Sequence, residues 1–151
     1  EEKAADVELL NEVLGRQLAM VDAYDTALPG LRGPALAAAR QFRAQEQEHV
    51  DSVVKSLRGL EAAAEPESEE IEATDLETQA DYLRFLYEVE SETIDSELSA
   101  ISNFAETWPR TLLAATVANR AQHLVLLRRA LGTPPLQTVP GPFEDGMTPA
   151  P

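Results

Sequence analysis

The stretch FRAQEQEH at residues 42–49 places Glu46 and His49 three positions apart. Residues three apart in a helix are neighbours on one face, so this carboxylate and this imidazole point in the same direction. Such a pair is a common ligand set for a divalent first-row metal. Because apolar residues flank it at Phe42 and Val53, the pair is expected on the buried side. The stretch therefore predicts a helix that carries metal-ligand chemistry into a hydrophobic core.

This pattern recurs once along the chain. The helix before each copy aligns at an offset of 73 residues, which pairs Gln17 with Glu90. The same offset pairs Tyr24 with Glu97. Two nearly equal offsets across both helix pairs indicate an internal repeat of a helical hairpin. At an offset of 74 residues, Phe42, Glu46, His49, Val53 and Leu57 align with Thr116, Arg120, His123, Leu127 and Leu131.

Apolar residues at helical spacing predict four helices. Residues 74–77 have the Thr-x-x-Glu form of a capping box, which predicts the start of the third helix. Trp108-Pro109 separates the third helix from the fourth, because the residue before a proline is disfavoured in helical conformation. The predicted ranges are about 4–27, 34–59, 74–105 and 109–131.

An acidic segment, residues 61–77, joins the two hairpins. Its Glu, Ala, Ser, Thr and Pro residues are typical of a solvated linker. About 17 extended residues reach roughly 55 Å, whereas a helix of about 24 residues is roughly 36 Å long. The linker can therefore return along the full length of a bundle. These features predict an all-α four-helix domain over residues 1–133, in which two hairpins are joined by a long crossover.

The remaining residues, 134–151, contain six of the ten prolines. This proline density excludes regular secondary structure. We expect an extended tail on the surface, held there by Leu136, Val139 and Phe143.

Charge and composition exclude several classes of function. The net charge of −15 disfavours binding to nucleic acid or to an anionic membrane, because both would be repelled. The chain has no cysteine, so it has no disulfide or thiolate metal site. No apolar run approaches the roughly 20 residues of a membrane-spanning helix. The sequence also lacks a Gly-rich phosphate loop and a nucleotide-binding fingerprint.

The sequence resembles the ferritin-like superfamily, in particular short bacterial ferritin-like domains that carry a motif like residues 42–49 on the second helix. The resemblance covers about residues 4–133. It implies a di-metal site in which two helices each supply one Glu and the other two each supply a Glu-x-x-His. Four of the six positions match and two depart, so the implied site is degenerate. In order of helices, the six positions hold Gln17, Glu46 with His49, Glu90, and Arg120 with His123.

The two departures change the charge of the implied site. Four carboxylates would neutralise two divalent ions, whereas Glu46 and Glu90 supply two negative charges and Arg120 returns one positive charge. A guanidinium about 4 Å from a divalent ion costs roughly 8 kcal/mol at an effective dielectric of about 20. Arg120 is therefore predicted to replace the metal by forking onto both carboxylates. Glu97 is expected either beside this site or at an interface.

Three functions are compatible with these residues. In the first, the domain has no cofactor and no enzymatic activity, and its role is binding or structural. In the second, one divalent ion such as Fe, Mn or Zn is held by Glu46, Glu90 and His123, or by Glu46 and His49 with water, with oxidase chemistry as an outcome. In the third, an acidic helical adaptor presents residues 65–77 to a basic protein. A homo-oligomer through helix faces fits each of them, and the resemblance implies an exported bacterial protein.

Overall fold

The structure is a computed structural model that describes residues 1–67 and 69–139. A short 3-10 turn at Leu28–Gly30 joins the first two helices, and another at Pro135–Gln137 follows the last. The described residues contain no strand, and none of their helices is long and apolar enough to cross a membrane. The helices are α1 (Glu2–Ala27), α2 (Gly33–Gly59), α3 (Gln79–Ile101) and α4 (Thr107–Ala130).

The four helices form a bundle of two hairpins. α1 packs mainly on α2 and α3 on α4, and α1 also packs on α3. Two apolar clusters fill the core, one centred on Tyr24, Phe42 and Leu86 and the other on Leu14 and Leu57. The polar residues singled out in the sequence occupy the layer between these clusters. The predicted all-α bundle of two hairpins with a long crossover is confirmed.

The crossover between α2 and α3 is attached to the outer face of α1. The side chain of Asn11 accepts a hydrogen bond from the Glu65 amide at 2.7 Å. Arg16 forms an ion pair with Glu69 at 3.1 Å. A Cβ atom on Gly15 would collide with the carbonyl oxygen of Glu67. The crossover therefore follows a defined path along α1, although most of its described side chains are exposed to solvent.

The predicted start of α3 was wrong by about one turn. Asp75 has a φ of +56°, which a first helical turn does not allow. The capping box instead uses Thr78 and Asp81. The Thr78 hydroxyl accepts from the Asp81 amide at 3.3 Å, and the Asp81 carboxylate accepts from the Thr78 amide at 2.8 Å. The same capping chemistry therefore operates, but four residues later than the sequence predicted.

The predicted break between α3 and α4 was also misplaced. Trp108 and Pro109 lie in the first turn of α4, where a proline sacrifices no hydrogen bond because the first amides of a helix have no partner within it. The chain turns earlier and is held by Asp6 of α1, which is 1% exposed. Its carboxylate accepts from the amides of Ala105 at 2.8 Å and Glu106 at 3.0 Å.

The residues expected to hold the tail do not do so in its described part. Leu136 is 96% exposed and Val139 is 65% exposed, while Phe143 lies outside the described residues. The contact is polar instead. Arg128 donates to the carbonyls of Gln137 at 3.4 Å and Val139 at 3.3 Å. A short 3-10 turn at Pro135–Gln137 also departs from the predicted absence of regular structure.

Candidate metal centre

Each helix brings polar side chains to the layer between the two apolar clusters. Five of the six positions singled out in the sequence are fully buried there, with at most 1% of each residue exposed, and His49 lies at the rim with 14% of its side chain exposed. His49 still contacts the layer, because its Nδ1 lies 3.3 Å from Glu46 Oε2. The five buried residues are Gln17, Glu46, Glu90, Arg120 and His123.

Arg120 occupies the middle of this layer. Its Nη1 lies 2.7 Å from Glu46 Oε2 and 3.3 Å from Glu90 Oε2. Its Nε lies 3.3 Å from Glu97 Oε2. The expected fork onto Glu46 and Glu90 with two nitrogens does not form, since one nitrogen serves both carboxylates. Three buried carboxylates therefore surround one buried guanidinium.

These contacts set the protonation of the layer. Burial lowers the pKa of Arg120, but the charges of Glu97, Glu46 and Glu90 outweigh it and hold that pKa above its ordinary value. Burial raises the pKa of Glu90, yet its hydrogen bond with His123 and the charge of Arg120 reverse the shift, so the pKa is lowered. For Glu97, burial dominates over Arg120 and Gln17, and the pKa is raised. Arg120 and Glu90 thus form a charged pair, while Glu97 favours its neutral form.

The second oxygen of Glu90 is occupied by two further side chains. Glu90 Oε1 accepts a hydrogen bond from the Tyr24 hydroxyl at 2.6 Å. The same oxygen lies 2.8 Å from Nδ1 of His123. Nε2 of that ring lies 2.7 Å from Gln45 Oε1, and Phe42 stacks on the ring with centroids 4.0 Å apart. Both ring nitrogens of His123 are therefore engaged, and its orientation is held by packing.

Glu97 and Gln45 are site residues whose contacts the sequence did not predict. Gln17 donates to Glu97 at 3.1 Å, and Tyr24 donates to Glu90. The repeat pairs Gln17 with Glu90 and Tyr24 with Glu97, so each α1 residue contacts the repeat partner of the other. Antiparallel helices related by an approximate two-fold axis have this geometry. The position of Glu97 in the repeat was the signal that could have placed it here, whereas nothing distinguished Gln45.

Comparison with known proteins places the fold. A family model of the ferritin-like domain matches residues 5–133. The chain belongs to this family. No curated protein is similar enough in sequence to match this ferritin-like domain.

Several solved structures have a similar fold. A ferritin-like, diiron-carboxylate protein from Bacillus anthracis str. Ames has a TM-score of 0.68 and 20% identity, covering 87% of this chain and 98% of its own. A Dps mutant from Listeria innocua has a TM-score of 0.73 and 17% identity over 87% and 96%. A Rhodobacter capsulatus bacterioferritin, described with a metal-free dinuclear site and haem iron, has a TM-score of 0.68 and 17% identity over 95% and 92%.

The residues of this layer do not fit a dinuclear metal centre. Gln17 is neutral and Arg120 is positive at positions where the superfamily pattern has carboxylates. Among the described residues, Glu46, Glu90 and His123 do offer ligand atoms within 4.8 Å of one another. However, Arg120 Nη1 already contacts both of these carboxylates. A single divalent ion would therefore have to displace the guanidinium.

Proposed function

We propose that this ferritin-like domain has replaced its di-metal centre by an arginine–carboxylate network and has a non-enzymatic binding or structural role. The observation that carries the proposal is the position of Arg120. It is 0% exposed and lies within 3.3 Å of carboxylate oxygens from Glu46, Glu90 and Glu97. A permanent side-chain cation thus supplies positive charge that a bound ion would otherwise have to supply.

The energetics of buried charge support this exchange. Glu46 and Glu90 are 0% exposed, and an unpaired ion at such depth is strongly unfavourable. A guanidinium pairs with them at every metal concentration, because it is part of the chain and stays protonated. The bundle therefore needs no metal to neutralise its core. The bacterioferritin described with a metal-free dinuclear site supports the view that such a fold tolerates an empty centre.

A second candidate is a protein that holds one divalent transition-metal ion. The observation that favours it is the cluster of Glu46, Glu90 and His123. Glu46 Oε1 is also buried without a hydrogen-bond partner, so one ligand atom remains available. Bound there, Fe, Mn or Zn would supply Lewis-acid chemistry, and Fe or Mn also redox chemistry. This candidate requires Arg120 to leave both carboxylates.

Metal analysis of the untagged protein, purified without chelators, separates the two candidates. We expect much less than one transition-metal ion per chain by mass spectrometry of the elements. Glu46→Ala and the control Glu48→Ala, an exposed glutamate on the same helix, should then show the same low content. A stoichiometric metal that is lost in Glu46→Ala and kept in Glu48→Ala would establish the second candidate instead.

A further inference from the structure

A groove lies where the C-terminal end of α2 meets the N-terminal end of α4. Its volume is about 530 Å³, and Leu60, Trp108 and Leu112 supply its apolar lining. Trp108 is 37% exposed. A Cβ atom added to Gly59, which also lines the groove, would meet nothing within 4 Å. The chain thus presents an open apolar surface around its only tryptophan.

The segment after α4 offers a complementary apolar surface. Leu136 and Val139 are 96% and 65% exposed, which leaves two large apolar side chains in water. Pro134 has φ −55° and ψ 144°, close to polyproline II geometry. Grooves lined by aromatic residues bind proline-rich segments in this conformation. Because Arg128 already holds the carbonyls of Gln137 and Val139, docking would cost less conformational entropy than ordering a free tail.

The two surfaces cannot meet within one chain. Arg128 holds the described tail at the C-terminal end of α4, whereas Trp108 lies in the first turn of that helix. The 20 residues between them correspond to about 30 Å of helix. Leu136 and Val139 are therefore out of reach of their own groove. A second copy of the chain is the occupant that supplies both surfaces at once.

The local charge of the groove permits this contact. No acidic residue lines it, and Lys55 is its charged residue. By contrast, the surface pocket near the start of α3 is lined by Glu72, Asp75, Asp81 and Glu88. On a chain of net charge −15, the Trp108 groove is a place where another acidic copy is not repelled at close range.

We propose that Leu136 and Val139 of one copy dock into the Trp108 groove of a second copy. The contact is head-to-tail, because groove and tail lie at opposite ends of α4. It goes beyond the proposed function, since it involves none of the buried polar residues and holds with or without metal. The repulsion between acidic copies is screened by salt, so association should strengthen as the salt concentration rises.

Sedimentation of the full chain over a range of concentrations tests the contact. We expect self-association that Leu136→Asp and Gly59→Glu each weaken by roughly tenfold or more, because burial of a leucine side chain is lost or blocked. Leu126→Asp is the matched control, since Leu126 is a half-exposed leucine of α4 outside both surfaces. Trp108 emission should shift to the blue as the chain associates. A chain that stays monomeric, or association that Leu136→Asp leaves unchanged, would overturn the proposal.

Mixing two defective variants tests the head-to-tail geometry. Leu136→Asp retains an intact groove and Gly59→Glu retains an intact tail, so a mixture should form a one-to-one complex although neither variant self-associates. A symmetric interface would be defective in the same way on both partners and would not be restored. Absence of the mixed complex, with both variants helical by circular dichroism, would contradict the proposed contact.

Discussion

Arg120 Nη1 lies 2.7 Å from Glu46 Oε2, and neither side chain is exposed to solvent. In the internal repeat these two residues occupy equivalent positions, 74 residues apart. A position that carries the first carboxylate of Glu-x-x-His in one hairpin thus carries its counter-ion in the other. The charge of the core is balanced between the two halves of the domain, and the following predictions depend on that balance.

Removal of the guanidinium should destabilise the bundle strongly. Arg120→Met preserves much of the side-chain volume but leaves buried carboxylates unpaired, which costs about 3–5 kcal/mol. The free energy of unfolding from urea denaturation measures this loss. Arg43→Met is the control, because Arg43 pairs with Asp25 on the surface, where such pairs contribute about 0–1 kcal/mol. Equal effects of the two substitutions would show that the buried network has no special energetic role.

Two substitutions should restore a dinuclear metal site. Gln17→Glu with Arg120→Glu returns carboxylates to both departing positions, so that with Glu46, His49, Glu90 and His123 the layer regains six ligands. We expect two divalent ions per chain by titration with Co²⁺ or Fe²⁺. The charge-matched control is Gln47→Glu with Arg43→Glu, on the outer face of α2. If the first double variant binds no more metal than the control, the assigned register of ligands is wrong.

The two buried glutamates of α3 should respond to pH in opposite directions. Because the pKa of Glu97 is raised in the folded state, mainly by burial, its ionisation opposes folding as pH rises above its ordinary pKa. Glu97→Gln should therefore become more favourable, relative to the unsubstituted protein, between acidic and neutral pH. Thermal unfolding across this pH range measures the difference. A cost of Glu97→Gln that grows towards neutral pH would contradict the prediction.

Glu90 should show the reverse trend. Its pKa is lowered because the contacts with His123 and Arg120 outweigh the effect of burial. The ionised form then stabilises the fold above the ordinary pKa, and this stabilisation is lost as pH falls through the lowered pKa. Glu90→Gln should cost most at neutral pH and least in acid. The same unfolding measurements apply, and a cost that is independent of pH would argue against an ionised Glu90.

The path of the crossover can be tested at two helical glycines. Gly15→Ala places a methyl group against the Glu67 carbonyl, whereas Gly59→Ala places one in open space. We expect Gly15→Ala to lower the free energy of unfolding and to expose residues 61–77 to proteolysis. Gly59→Ala should be neutral or stabilising by up to about 1 kcal/mol, because alanine favours helix. Similar behaviour of both variants would mean that the crossover does not rest on α1.

Helical periodicity was sufficient to predict the four helices and the inward side of each. The repeat then placed Gln17, Glu46, Glu90, Arg120 and His123 at one depth, because equivalent residues of two similar hairpins lie at similar heights. Partner choice was harder. Whether Arg120 meets Glu97 depends on how α3 and α4 cross, which no local pattern encodes.

The helix ends show a different limit of local patterns. Residues 74–77 and 78–81 both have the form of a capping box, and the sequence does not distinguish them. The left-handed conformation of Asp75 favours the second. The junction before α4 depends on Asp6, which lies 99 residues from Ala105 along the chain. Such long-range contacts follow from the assembled bundle and not from its segments.

The Asp6 carboxylate also has a consequence for how the domain can be cut or extended. It caps the corner between α3 and α4 from the first turns of α1, so the start of the chain completes the far hairpin. The second hairpin, produced alone, would have a frayed entrance to α4. Any cleavage or fusion near Asp6 would act first on that distant corner, and only through it on the arginine that α4 carries.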